Sequence, residues 1–269
     1  MKINEKIAFI GVGFMAGSMV DGILRAGLAS RENIYCINDA FPEVAREASE
    51  RHGITLGTAS DIADCDIVVF GVKPQIFPEA LEMYGKYFTP DKLYLSIMAG
   101  VSIEKLESAL GGARVVRFMP NMPLSVRESA TVYVLGNACT EAEGELAEAI
   151  FAPLGIIKRI DEDMMSAYIA LSGSSPAYIC RMIEAIASAA VEFGVPADTA
   201  EQYAVQSLIG TAKVLSETGI SPAELRIRVT SKKGTTEAAL NSLTESGFDE
   251  TVKKCMIACA KRNDELARG

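Results

Sequence analysis

The chain contains no tryptophan, and its single histidine, His52, stands in a polar stretch just before Gly53. A catalytic histidine needs a partner that orients it, so His52 reads as part of a surface helix. Ser-His-Asp and multi-histidine metal mechanisms are nearly excluded. An excess of basic residues is also missing: 26 Lys and Arg against 35 Asp and Glu leave a formal net charge of -9. That balance argues against a nucleic-acid partner, which demands a basic face for its phosphates. No apolar run approaches the roughly 18 residues of a membrane span, and the N-terminus lacks a secretory pattern. A cytoplasmic protein without membrane contact is expected. The six cysteines (Cys36, Cys65, Cys139, Cys180, Cys255 and Cys259) lie scattered in apolar segments. Only Cys255 and Cys259 share a helical face, and no residue nearby completes a zinc set. They read as buried, reduced thiols, and no metal is expected.

Against these absences, 49% of the 269 residues are hydrophobic, enough to bury the cores of two domains. The organising stretch comes first. Ile7 to Ile10 is a continuous apolar run, the mark of a strand buried on both faces of a parallel sheet. Gly11, Val12, Gly13, Phe14, Met15 and Ala16 follow as G-x-G-x-x-A, and the pattern then turns helical up to Leu24. Strand, glycine turn and helix form the setting a dinucleotide fingerprint requires. Gly11 permits the tight turn, Gly13 lets the backbone approach a pyrophosphate, and a small Ala16 lets helix pack on strand. The N–H groups at the helix start would face the phosphates.

Further along, Asn33 to Ile37 reads as a second strand, ending at Asn38-Asp39 where such a sheet meets the adenosine ribose. Asn38 can donate and Asp39 would repel a phosphate, which leaves NAD against NADP open. Asp66 to Val72 is a buried strand running into Lys73-Pro74-Gln75, and Leu93 to Ile97 meets Met98-Ala99-Gly100. Val115 to Phe118 leads into Met119-Pro120-Asn121-Met122-Pro123, Ile54 starts a short strand, and Thr131 to Leu135 alternates again. Strands alternating with helices predict an α/β fold whose first domain, residues 1–161, is a Rossmann-type doubly wound parallel sheet. Ligands bind at the carboxyl ends of such strands, where these turns recur.

From residue 162 to 269 the strand signals vanish. Helices are expected from Met164 to Leu171, from Ala177 to Phe193, and from a cap at Asp198 or Thr199 to about Glu217. Ser221-Pro222-Ala223-Glu224 starts another, Thr235 caps the next, and Asp249 opens the last. The stretch 177–217 is apolar on more than one face, and a helix apolar most of the way round is buried. This all-helical domain therefore reads as a dimerisation domain, unless an intramolecular core absorbs that surface.

Taken together, the motifs resemble the pyrroline-5-carboxylate reductase family. The matching pieces are IGVGFMAG at 10–17, VKPQ at 72–75, MAGVSIEKL at 98–106 and RFMPNMP at 117–123. In the helical half they are LSGSSPAY at 171–178, SPAELRIRVTSKKGTTEAAL at 221–240 and ESGF at 245–248. The resemblance implies hydride transfer from NADPH, with NADH possible, to the ring C=N of 1-pyrroline-5-carboxylate, giving L-proline. It implies that the cofactor meets Gly11 to Ala16, Asn38, Val72, Lys73, Pro74, Ala99 and Arg228. It places the substrate against Glu162, Ser231, Gly234, Thr235 and Thr236. The two threonines take the carboxylate, and the Thr236 hydroxyl reaches the ring nitrogen as the catalytic group. Self-association through the helical domain is implied as well. The chemistry agrees: a protonated imine is already electrophilic, so orientation and charge placement suffice and no strong base is needed.

Four residues at three places depart from the family's usual pattern: Ser175 for glycine, Lys232-Lys233 for Pro-Gly, and Glu237 for an apolar residue. They keep open a reductase of another cyclic imine on the same fold, or a nucleotide-binding regulatory dimer without turnover. β-Hydroxyacid dehydrogenases are disfavoured, because Leu171 to Ile183 offers Ser172, Ser174 and Arg181 but no lysine to serve as acid.

Overall fold

Short apolar runs separated by helices fold here into one eight-stranded sheet in a computed structural model that describes residues 2–268. The strands are β1 (Ile7–Ile10), β2 (Ile34–Ile37), β3 (Thr55–Leu56), β4 (Ile67–Phe70), β5 (Leu93–Ser96), β6 (Arg114–Met119), β7 (Ser129–Leu135) and β8 (Gly155–Arg159). Their order is β3-β2-β1-β4-β5-β6-β7-β8. Strands β1, β4 and β5 are buried along their whole length, as strands covered on both faces must be. One face carries α1 (Phe14–Arg25), α2 (Pro42–His52) and α5 (Glu141–Phe151); the other carries α3 (Phe77–Tyr84) and α4 (Ile103–Ala109).

The sheet departs from all-parallel at one place. β7 runs antiparallel to β6, with Phe118 opposite Tyr133, because only a short helical turn (Met122–Val126) joins them. A parallel return needs a crossover of a dozen or more residues. Strand β8 was not expected from sequence: Gly-Ile-Ile-Lys-Arg lies at the sheet edge with mostly exposed side chains, so no apolar alternation announces it.

The chain divides by compactness into a first unit, 1–174 with 259–269, and a second, 175–258. In the first, α6 (Met165–Tyr168) continues into a π-helical turn, Ile169–Gly173. The second is all-helical: α7 (Ser175–Glu192), α8 (Ala197–Thr218), α9 (Pro222–Arg228), α10 (Thr235–Glu245) and the start of α11 (Phe248–Arg268). Pro196, rather than Asp198 or Thr199, caps α8; Asp198 serves the first turn, accepting from the Thr199 N–H at 2.8 Å. No described residue of α7 is buried, and α8 buries only Ala200 and Ala204, while Phe193 is 88% exposed and Tyr203 70%. An apolar helix pair with almost no core of its own presents a surface that calls for a cover. Among the described residues, no helix is long and apolar enough to cross a membrane.

His52 is not a surface residue. It is buried at the end of α2 against Gly17 of α1, with Nδ1 2.7 Å from Asp21 Oδ1. The periodicity of α2 placed it among polar neighbours, and the partner that covers it lies 31 residues away. Of the cysteines only Cys36 and Cys65 are fully buried; Cys139 and Cys259 are half-buried, and Cys180 and Cys255 are exposed. Burial pushes the Cys36 and Cys65 thiols up to about 11, which keeps them protonated and unreactive.

Candidate active site

Parallel strands deliver their following turns to one edge of the sheet, and the chain reverses its direction of growth between β1 and β4. The crevice at such a switch point is where open sheets take their ligands. There the Gly11 N–H donates to Ile37 O at 3.0 Å, and Gly11 sits at φ +81. Gly71, the residue after β4, lies beside it: a Cβ on Gly71 would come 2.2 Å from Gly11 O and 2.7 Å from Ala16 Cβ. Sequence reasoning missed Gly71, because its close neighbours meet it only once β1 and β4 pair. It follows a four-residue buried run in the same register that Gly11 follows β1, Ile10 pairing with Phe70.

Gly13 is the N-cap of α1, and a Cβ there would meet nothing within 4 Å. No side chain caps α1, and its first turn holds no acid. At α4, α5 and α9 a side chain does cap the start, and at α5 Thr140 and Glu143 form a complete capping box. A 12-residue helix left with open N–H groups beside a bare glycine fits a pyrophosphate, and Ala16 is buried where the helix meets the sheet. Val12 is buried, Met15 half-buried and Phe14 57% exposed.

The other predicted cofactor residues of this unit, Asn38, Val72, Lys73, Pro74 and Ala99, also follow strand ends, β2, β4 and β5. Asn38 Oδ1 accepts from the Phe41 N–H at 3.1 Å, and the Asp39 N–H donates to the Tyr84 hydroxyl at 3.0 Å. Burial pushes the Tyr84 phenol up, so it remains protonated. Lys73 exposes its side chain, while its carbonyl accepts from the Ile76 N–H at 2.9 Å. Ala99 is exposed in a turn whose Gly100 stands at φ +75. After β6, buried Asn121 accepts from the Ala130 N–H at 3.1 Å and donates to Ser172 O at 3.0 Å, tying this loop to the π-helical turn. Glu162 is engaged within the same unit, accepting from Arg117 Nη1 and from the Ile103 N–H at 3.2 Å.

In the second unit the predicted substrate residues gather at the start of α10. Gly234 is the N-cap, so Thr235 is the first helical residue and not the cap. The Gly234 N–H donates to Ser231 O at 3.0 Å, and Ser231 folds over Gly234 so closely that a Cβ there would lie 2.2 Å from its Oγ. Among the described residues no acceptor engages the N–H groups of Thr235 or Thr236, and neither hydroxyl makes a hydrogen bond. Glu237 turns its carboxylate back to accept from the Lys233 N–H at 2.7 Å. Arg228, expected near cofactor phosphates, pairs with Glu224 one turn earlier at 2.6 Å.

The departure at Lys233 leaves the turn intact. Lys233 sits at φ +61, a left-handed conformation that costs a side-chain-bearing residue roughly 1–2 kcal/mol. Glycine returns about 0.5–1 kcal/mol of that in chain entropy. Lys233→Gly is therefore expected to raise the thermal midpoint by about 2 °C; a fall would mean that the lysine side chain holds the turn.

Comparison with known proteins bears directly on this arrangement. A family profile described as pyrroline-5-carboxylate reductase dimerisation matches residues 162–266, and one described as NADP oxidoreductase coenzyme F420-dependent matches residues 6–100. Pyrroline-5-carboxylate reductase of Arabidopsis thaliana is 35% identical over 98% of this chain and 96% of its own; that of Methanosarcina acetivorans is 36% identical over 98% and 99%. The chain belongs to the pyrroline-5-carboxylate reductase family. The solved structures of relatives agree. The Coxiella burnetii reductase superposes with a TM-score of 0.89 at 33% identity, covering 98% of this chain and 99% of that one. The Plasmodium falciparum reductase, solved with NADP bound, gives 0.85 at 26%, covering 99% and 100%. The fingerprint turn, the α10 start and the π-helical turn are thus features of one reductase chain matched end to end.

Proposed function

We propose that the protein reduces 1-pyrroline-5-carboxylate to L-proline with NADPH, NADH being the possible alternative. The observation that carries this reading is the pair of open helix starts, α1 in one unit and α10 in the other, in a chain that matches reductases over its whole length. When bound, the cofactor supplies a hydride to the imine carbon, and the ring nitrogen ends protonated as the secondary amine.

The chain's own residues orient and place charge. Gly11 to Ala16 cradle the pyrophosphate, Asn38 meets the adenosine ribose, and Val72 to Pro74 with Ala99 flank the nicotinamide. Ser231, Gly234, Thr235 and Thr236 take the substrate carboxylate on free N–H groups and hydroxyls. Thr236 reaches toward the ring nitrogen, and Arg228 adds positive charge to the unit. Glu237 accepts from the Lys233 N–H and so sets a carboxylate in the first turn of α10, beside that anion site. Self-association covers the apolar faces of α7 and α8, in keeping with the dimerisation profile matched there. A cytoplasmic setting accords with six unpaired cysteines.

The test is oxidation of NADPH and NADH in parallel with 1-pyrroline-5-carboxylate, with proline identified as product. Oxidation that yields proline supports the reading. Cofactor binding without turnover would replace it with the regulatory dimer.

A further inference from the structure

Arg117 lies on β6, an interior strand of the sheet, opposite Ser96 and Val134, with its side chain only 4% exposed. Its one partner among the described residues is Glu162: Nη1 donates to Oε1, and the same oxygen accepts from the N–H of Ile103, the first residue of α4. Arg117 Nε and Glu162 Oε2 are both buried and have no hydrogen-bond partner among the described residues. A guanidinium and a carboxylate can form two parallel hydrogen bonds. This pair forms one and turns its carboxylate toward the helix start instead. An ion pair with one buried and one half-buried partner that leaves polar atoms unsatisfied gains little over a well-packed apolar pair, so stability alone does not account for it.

What the pair fixes is position. Ser102 caps α4 by accepting from the Lys105 N–H at 3.2 Å, and Glu162 holds the Ile103 N–H. These two contacts anchor the chain immediately after the turn Met98-Ala99-Gly100, in which Met98 is buried and Ala99 exposed at the carboxyl end of β5. A carboxylate is also the charge a helix start favours.

We propose that Arg117 and Glu162 form a positioning pair that sets the Ala99 turn for the nicotinamide end of the cofactor. The inference rests on the nicotinamide-dependent reading above, and it gives Glu162 a hold on α4 in place of a contact with substrate. The pair acts through backbone placement and touches no reacting atom.

The test is the affinity for NADPH, read from nicotinamide fluorescence in a chain without tryptophan, together with steady-state kinetics. Arg117→Met and Glu162→Gln are each expected to raise the Kd for NADPH five- to tenfold. The double variant should lose no more than the worse single, as partners in one unit do. The KM for 1-pyrroline-5-carboxylate at saturating NADPH stays within twofold. An unchanged Kd with a tenfold higher KM for the imine in Glu162→Gln would return that residue to the substrate. A loss of affinity that merely follows the thermal midpoint across the variants would reduce the pair to a structural one. If Arg117→Met does not fold, Arg117→Lys and the near-isosteric Glu162→Gln carry the same comparison. Because the Kd is measured without turnover, a wild-type protein that binds NADPH but forms no proline overturns the proposed function and still decides this inference.

Discussion

Replacing Gly71 with alanine is expected to weaken NADPH binding by about a hundredfold, ~2.7 kcal/mol, while the sheet still forms. The added Cβ would lie 2.2 Å from Gly11 O and 2.7 Å from Ala16 Cβ. Neither neighbour is the loose end of a flexible side chain. Gly11 O belongs to the turn held at φ +81, and Ala16 sits in the buried first turns of α1. The Gly11 turn must therefore move by about 1 Å, a displacement that costs on the order of a hundredfold at a site built for a fixed geometry. Gly13→Ala provides the contrast. Its Cβ would meet nothing within 4 Å, so stability should hold while the methyl group intrudes on the pyrophosphate. Gly85→Ala, equally open and away from the strand ends, should be silent in both respects. Kd values for NADPH and thermal midpoints across the three variants separate these cases. Wild-type affinity in Gly71→Ala would remove the β1–β4 crevice as the cofactor's seat.

The contrast between Gly71 and Gly13 also shows where sequence reasoning reached and where it stopped. Gly11, Gly13 and Ala16 were legible because a strand, a turn and a helix follow one another within ten residues, and each small residue has a local reason. Gly71 had no such local reason. Its neighbours are Gly11 and Ala16, which meet it only once β1 and β4 pair. The same limit explains His52. Its own helix places it among Arg51, Glu50 and other polar residues, and Asp21, its partner, belongs to a different helix. Asn121 stood in a motif that was noticed, yet its hydrogen bond to Ser172 spans 51 residues. Strand β8 escaped because an edge strand need not bury either face.

Periodicity did carry the architecture. The apolar runs of β1, β4 and β5 announced a sheet covered on both faces, and their order with the helices announced its doubly wound form. It could not announce the antiparallel β7, since that follows from the length of one connection and not from the strand's own residues. In the helical half, the apolar excess of α7 and α8 was plain in the sequence. The structure adds that their own unit supplies almost no core to receive it. The proposed substrate end was legible only through resemblance. Ser231 to Thr236 look like an ordinary capped helix start until Gly234 proves to be the cap, leaving two threonines with free N–H groups and free hydroxyls.

Those free hydroxyls lead to the second large effect. Thr236→Ala is expected to lower kcat/KM for 1-pyrroline-5-carboxylate at least about tenfold, ~1.4 kcal/mol of transition-state stabilisation. Elsewhere in the helices, threonine hydroxyls are spent on the backbone: those of Thr211, Thr218, Thr244 and Thr251 each donate to the carbonyl four residues back. Thr236 makes no such bond and is half-buried at the open end of α10. Its loss therefore removes no internal contact, and alanine is the better helix former. The thermal midpoint should stay level or rise slightly while activity falls. Because the Thr236 N–H survives the substitution, carboxylate binding should weaken little, and the loss should appear mainly in kcat. Thr236→Ser, which restores the hydroxyl, should recover most of the rate. A fall in KM-based affinity alone, with kcat preserved, would leave Thr236 as a carboxylate ligand and send the search for the group that meets the ring nitrogen elsewhere. An unchanged kcat/KM would remove it from the reaction altogether.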